Sequence, residues 1–319
     1  YIMKHALLII AHKNIKQLDR LVSSLEHDSF DIFIHFDSKW AISDDEIEMF
    51  KHQHHNAEVL EKRYSGVLDT WSLVEIAMEL IQKALYTETQ KKIEYGYFYL
   101  MSGQDYPIKS NDYIAQYLDR AYPKPLIDCT PETNDNWIHS TFKRIRHVNL
   151  YNKINKISKN KTVQKICKIP LYAYQEVLTL IVGSPYKHLK AMNIRLYGGS
   201  AWWALPREAV GFITEQYKTN RQVVKWYRKA TTPEETFFQT MTMMSPAAEK
   251  VVLNDPYETK QNCMTFAYFQ REGKPVTGHP YSFTVNEIDK IQKMPHLFAR
   301  KFDIDIDEKI FDIIEEKCR

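Results

Sequence analysis

Six uncharged apolar residues in a row, Ala6-Leu7-Leu8-Ile9-Ile10-Ala11, constrain the fold more than any other stretch of this chain. A run that short, without polar alternation, predicts a strand buried on both faces. Such strands belong to parallel sheets covered by helices on each side. The next hundred residues keep that rhythm. After the turn His12-Lys13-Asn14, the stretch Ile15 to Leu25 has helical spacing of Leu18, Leu21, Val22 and Leu25. Asp31 to Phe36 predicts a second strand ending at Asp37, and Ala57 to Leu60 a short third. Trp71 to Leu85 predicts an amphipathic helix, and Tyr95 to Met101 another buried strand, closed by the loop from Ser102 to Pro107. Strands alternating with helices imply an α/β fold, a mostly parallel twisted sheet flanked by helices. Ligands of such sheets lie beyond the C-terminal ends of the strands. His12, Asp37, Arg63 and Asp105 all fall at or near those ends.

The chain of 319 residues is 44% apolar and 26% charged, enough to bury a full core. A net charge of +3 leaves no global nucleic-acid signature. Four widely separated cysteines (Cys129, Cys167, Cys263 and Cys318) lack metal-ligand spacing and point to free thiols in a reducing compartment. The opening apolar run is far short of the roughly 20 residues that span a bilayer, and no signal peptide is read. The expectation is a cytoplasmic protein.

Four later blocks carry chemistry. Residues 143–168 hold Lys143, Arg144, Arg146, Lys153, Lys156, Lys159, Lys161, Lys165 and Lys168 without an acid, with Leu150, Ile154, Ile157, Val163 and Ile166 at roughly helical intervals. That is a basic amphipathic segment, suited to peripheral contact with an anionic membrane or an acidic acceptor; a solvated lysine face is the plainer reading. Gly198-Gly199-Ser200-Ala201-Trp202-Trp203 joins glycines that permit close backbone approach to a ligand with flat apolar surface. Thr231 to Phe238 predicts a helix start, with Thr232 as cap, Pro233 at the first helical position and Glu234 and Glu235 in the first turn. Carboxylates favour helix N-termini, so position alone explains both acids. Finally, Leu297-Phe298-Ala299-Arg300-Lys301-Phe302-Asp303 sets two cations in an apolar frame, a good grip for a phosphate. Asp303-Ile304-Asp305-Ile306-Asp307 and the group His52, His54 and His55 imitate metal sites; the aspartates read as scaffold and the histidines as exposed.

In order, these blocks resemble the core-2/I-branching family of glycosyltransferases, which includes β-1,6-N-acetylglucosaminyltransferases and peptide O-xylosyltransferases. The matching segments are Leu7 to Asn14 with Gln17 to Leu21, Ile34-His35-Phe36-Asp37, Ser102 to Ser110, Gly199 to Leu205, Pro233 to Thr240, and Leu297 to Asp303. The resemblance implies a variant GT-A fold in one catalytic domain, with a nucleotide-binding half over 1–120 and an acceptor-binding, catalytic half over 121–319. It implies a bacterial enzyme with inverting, metal-independent transfer from a UDP-sugar, GlcNAc or xylose favoured, to a glycan or lipid-linked acceptor. Glu235 stands at the position of the family's base, and Arg300 and Lys301 at the positions that neutralise the departing diphosphate. His12, Asp37, Arg63, Asp105, Ser200 and Trp202 are expected around the donor. Trp203, Glu234 and Tyr268 are expected on the acceptor side, and no metal or other cofactor is expected. The sequence departs from the family pattern at Val67 to Val74 and near Gly278-His279-Pro280, and carries Tyr268 where the family has Trp. Two other readings stand beside it: a glycoside hydrolase using Glu235 with Asp105, and a catalytically silent sugar- or membrane-binding module.

Overall fold

The computed structural model describes residues 3–132, 145–149, 161–254, 261–274 and 279–319; the side chains of residues 161–169 and of Leu171 and Tyr172 lie outside that description. Most of the basic segment 143–168 therefore falls outside the described residues.

The apolar run forms β1 (Lys4–Ala11), and the predicted alternation follows it: α1 (Ile15–Ser24), β2 (Phe30–Phe36), α2 (Asp44–Gln53), β3 (Ala57–Val59), α3 (Trp71–Lys91) and β4 (Tyr95–Ser102). Asn14, at a left-handed φ of 54°, caps α1 by accepting the Gln17 N–H. Ser43 and Glu46 close a reciprocal capping box on α2. These four strands pair in parallel in the order β3-β2-β1-β4, with Leu7 opposite Ile32 and Tyr99.

In the main sheet the parallel pattern stops after β4. The predicted loop contains a short strand, β5 (Asp105–Pro107), followed by α4 (Asn111–Ala121), β6 (Leu126–Ile127) and β7 (Thr130–Pro131). Then come α5 (Lys161–Val182), α6 (Pro185–Ala191), β8 (Tyr197–Gly198), β9 (Trp203–Pro206), α7 (Arg207–Thr219) and α8 (Arg221–Lys229). Strand β9 runs antiparallel to β4 and β6 antiparallel to β9, so the six-stranded sheet is parallel on one side and antiparallel on the other. The rest is α9 (Phe237–Met244), β10 (Thr265–Ala267), α10 (Ile288–Gln292), β11 (Phe298–Arg300) and α11 (Lys309–Lys317).

Successive strand residues point to opposite faces, and the core divides accordingly. Leu8, Ile10, Phe98, Leu100, Trp203 and Leu205 meet residues of α3, α7, α8 and α9 on one face. Leu7, Ile9, Tyr97, Tyr99, Met101 and Ala204 meet α1, α4, α11 and the three-stranded sheet β10-β11-β5 on the other. That small sheet lies at the C-terminal edge of β4, because only Gly103 and Gln104 separate Ser102 from Asp105 and β11 pairs antiparallel with β5.

Candidate functional site

The site begins with a register. In the pairing of β11 with β5, Arg300 stands opposite Asp105. Asp105 is fully buried. Its Oδ2 accepts the Ser102 N–H at 2.9 Å, and its Oδ1 lies 3.6 Å from Arg300 Nε. Burial raises the Asp105 carboxyl to about 6, against the opposing pull of Arg300 and the Ser102 amide. The Arg300 guanidinium lies 4.3 Å from the centre of the Trp202 ring. Its Nε and Nη1 are buried without a hydrogen-bond acceptor among the described residues. A buried cation with unused donors is a costly arrangement that an arriving anion relieves.

Further positive charge collects around it. Burial lowers the Lys301 ammonium pKa, and Lys13 and Arg300 nearby lower it further. Lys13 pairs with Asp303 at 2.6 Å. His12 reaches solvent at the end of β1; desolvation by the surrounding protein lowers its pKa first, then Lys301, with Lys13 and Arg300 adding to the shift and Asp37 opposing it. Four of the sequence candidates, His12, Asp105, Arg300 and Lys301, thus share one electrostatic neighbourhood, with Lys13 as an unforeseen fifth member.

A buried glutamine holds this cluster together. Gln17 Nε2 donates to the carbonyls of Gly103 at 3.0 Å and Phe302 at 3.1 Å, and its Oε1 accepts the Ile304 N–H at 2.9 Å. One side chain on α1 fixes both the loop after β4 and the chain after Arg300. Its placement at helix position three, facing inward, was its only sequence signal.

The turn Pro233–Glu235 is joined to the cluster by the segment 198–203. Gly199 N–H donates to the Glu235 carbonyl at 2.9 Å, Gln239 Nε2 donates to the Ser200 carbonyl at 2.7 Å, and Trp202 lies under Arg300. Ser200 Oγ accepts the Trp202 N–H at 3.3 Å and shapes that turn. Glu235 is half-buried. A β-carbon on Gly199 would overlap the Asp128 carbonyl oxygen, so this glycine serves the protein's own backbone packing, not close approach to a ligand.

Several expectations change. Residues 233–235 form a 3-10 turn before α9, and Thr232 is not a side-chain cap: at φ 60° its hydroxyl instead donates to Asp69 Oδ1 at 2.8 Å. Glu234 is buried and turned backward, with Oε1 accepting the Asp69 N–H at 2.7 Å; burial and the neighbouring Glu235 push its carboxyl well above the usual range. It is not displayed to an acceptor. Trp203 is fully buried against Phe238, 4.6 Å between ring centres, because β9 turns alternate residues inward. Tyr268 is also buried, stacked at 4.6 Å on Phe283. Arg63 Nη1 and Nη2 donate to the carbonyls of Asp37 at 3.0 Å, Trp40 at 2.6 Å and Ile42 at 3.3 Å, while its Nε is buried without an acceptor among the described residues. Asp37 accepts the N–H groups of Lys39 at 2.7 Å and Gly66 at 3.0 Å, so both residues organise the loop after β2.

The metal mimics also have partners. Besides Asp303, Asp305 accepts from Asn14 at 3.0 Å, and Asp307 accepts the Val285 and Lys309 amides at 2.9 and 3.0 Å. His54 is buried, bonded to Asp19 at 2.7 Å, while His52 and His55 are exposed. Asp105 is fully buried beside Arg300, whereas a second hydrolytic carboxylate has to be open to its substrate.

Comparison with known proteins identifies the family. The profile of the core-2/I-branching enzyme family matches residues 6–292. A human β-1,3-galactosyl-O-glycosyl-glycoprotein β-1,6-N-acetylglucosaminyltransferase is 24% identical over 98% of this chain and 68% of its own length. Xylosyltransferase 2 of Canis lupus familiaris is 22% identical over 97% of this chain, which spans only 33% of that longer protein. Mouse xyloside xylosyltransferase 1 in its apo form overlaps 93% of this chain and 97% of its own at 12% identity and a TM-score of 0.35, too loose a fit to inform the site. The chain belongs to the core-2/I-branching enzyme family of glycosyltransferases.

Proposed function

We propose that this chain is an inverting, metal-independent glycosyltransferase that moves a sugar from a UDP-sugar to a hydroxyl of a glycan or lipid-linked acceptor. The observation that carries the reading is Arg300, a buried cation on an aromatic face with donors left over, beside Lys301 and Lys13. That is the environment a diphosphate needs, and the relatives' names point to N-acetylglucosamine or xylose as the sugar.

In this reading Glu235 takes the proton from the acceptor hydroxyl as its oxygen attacks the anomeric carbon from the face opposite the phosphate. The bond from that carbon to the phosphate oxygen breaks, and its electron pair leaves on UDP. Arg300 and Lys301 balance the added charge where a divalent ion does so in other transferases. Asp105 keeps Arg300 oriented; His12 and Trp202 border the donor.

The test is a thermal-shift panel of UDP-sugars with and without EDTA, joined to a transfer assay. Donor binding and transfer should both survive EDTA. Glu235→Gln should lower transfer by about 10²–10⁴ with UDP binding kept, whereas Arg300→Ala should weaken UDP binding itself. Strict dependence on a divalent ion, or UDP binding indifferent to Arg300, would overturn the assignment.

A further inference from the structure

Helix α5 turns an apolar face to water. Tyr174, Val177, Leu180 and Ile181 recur at helical spacing and all are exposed, Leu180 keeping 83% and Ile181 76% of its surface. The opposite side of the helix is anchored. Gln175 Nε2 donates to the Val148 carbonyl at 2.8 Å, and Thr179 Oγ1 accepts the Val148 N–H at 3.0 Å. The face is thus held outward by the fold.

The sequence that leads into this helix is basic. Residues 143–168 contain nine lysines and arginines and no acid. Arg146 is exposed, and its carbonyl accepts the Ser184 hydroxyl at 2.7 Å just beyond the end of α5. Lys187 projects from α6, and Lys190 is paired with Glu132. Glu176, on α5 itself, is paired with His147 at 3.1 Å.

We propose that this face docks onto the surface of an anionic lipid bilayer. Its aliphatic side chains and Tyr174 enter the boundary between headgroups and acyl chains, while Arg146 and Lys187 meet the lipid charge. A second copy of the chain is a poorer occupant, since a self-complementary contact sets lysines against lysines. The helix lies on the membrane; no described helix is long and apolar enough to cross one.

Docking has a consequence for the site. Val148 pairs with Ala230, and the Asn149 N–H donates to the Lys229 carbonyl at 2.7 Å, directly before the turn that carries Glu235. An acceptor carried by the membrane would be offered on that side. This consequence rests on the proposed function; the docking does not.

Co-sedimentation of the protein with vesicles tests it, comparing phosphatidylglycerol mixed with phosphatidylcholine against phosphatidylcholine alone, at low and high salt. The protein should pellet with the anionic vesicles and be partly released by salt. Leu180→Ser combined with Ile181→Ser should weaken binding roughly tenfold or more, with thermal unfolding and UDP binding unchanged. Arg146→Gln with Lys187→Gln should lower both the binding and its salt dependence. Failure to bind anionic vesicles, equal binding by the serine variant, or a dimer in size-exclusion chromatography that the serine variant abolishes would each overturn the proposal. A protein that binds vesicles but no UDP-sugar would overturn the catalytic reading and leave this one standing.

Discussion

Asp105 and Arg300 show how one buried pair couples ligand binding to stability. The unfolded Asp105 titrates near the ordinary aspartate value, while the folded one is raised to about 6. Between roughly pH 4 and 6 the native state therefore holds a proton that the unfolded chain has released. The contribution is fully present below that window and is lost as pH rises through it, amounting to about 3 kcal/mol for a shift of this size. Asp105→Asn removes the titration. The stability difference between wild type and this variant should fall across pH 4 to 6 and flatten above it, as read from thermal unfolding. A difference that ignores pH would mean that Asp105 is not the group concerned. Above pH 6 the carboxylate is ionised and attracts the Arg300 guanidinium opposite it.

At the scale of elements, the segment 198–203 is the hinge pin of the site. It contacts the Glu235 turn through Gly199 and the cation cluster through Trp202. Because a β-carbon at Gly199 meets backbone rather than a flexible side chain, Gly199→Ala should cost about 1–3 kcal/mol in unfolding free energy. It should also lower kcat, because the Glu235 carbonyl is bonded to the same amide; unchanged stability and turnover would contradict this account. The same segment marks the limit of sequence reading. Strands β1, β2 and β4 were legible because each is a long, largely apolar run, and α2 carries its own start signal in the Ser43 and Glu46 capping box. Strands β5, β10 and β11 are three residues each, too short for a period, and two of them pair across most of the chain. The Trp pair had to split between two faces of a strand, but nothing local decides which ring enters the core. Arg300 and Lys301 were legible as a pair of cations in an apolar frame, whereas Gln17 and Lys13 gain their roles through partners almost three hundred residues away.

The whole molecule closes on itself through α11. Ile310, Phe311 and Ile314 are buried in the core on the α1 side of the sheet. Arg20 bonds Asp312 and Glu315, and Tyr106 bonds Glu315 as well. Burying three such side chains contributes about 5 kcal/mol or more, comparable with the net stability of a typical domain. A chain ending before Lys309 should be unfolded or aggregated by circular dichroism and light scattering. Arg20→Ala alone should cost less than about 1 kcal/mol, because its carboxylate partners are exposed. Folded, soluble truncated protein would show that α11 is an accessory.

The pairing of Arg300 with Asp105 also sets an order in time. A ribosome delivers β1 to β4 and Asp105 first, and the parallel sheet can begin to form around them. The cation that belongs opposite Asp105 emerges much later in synthesis, on the last strand of the small sheet. Until then the Asp105 carboxylate lacks the cation that faces it in the finished fold. The proposed anion site therefore cannot form until both halves of the pair have been made.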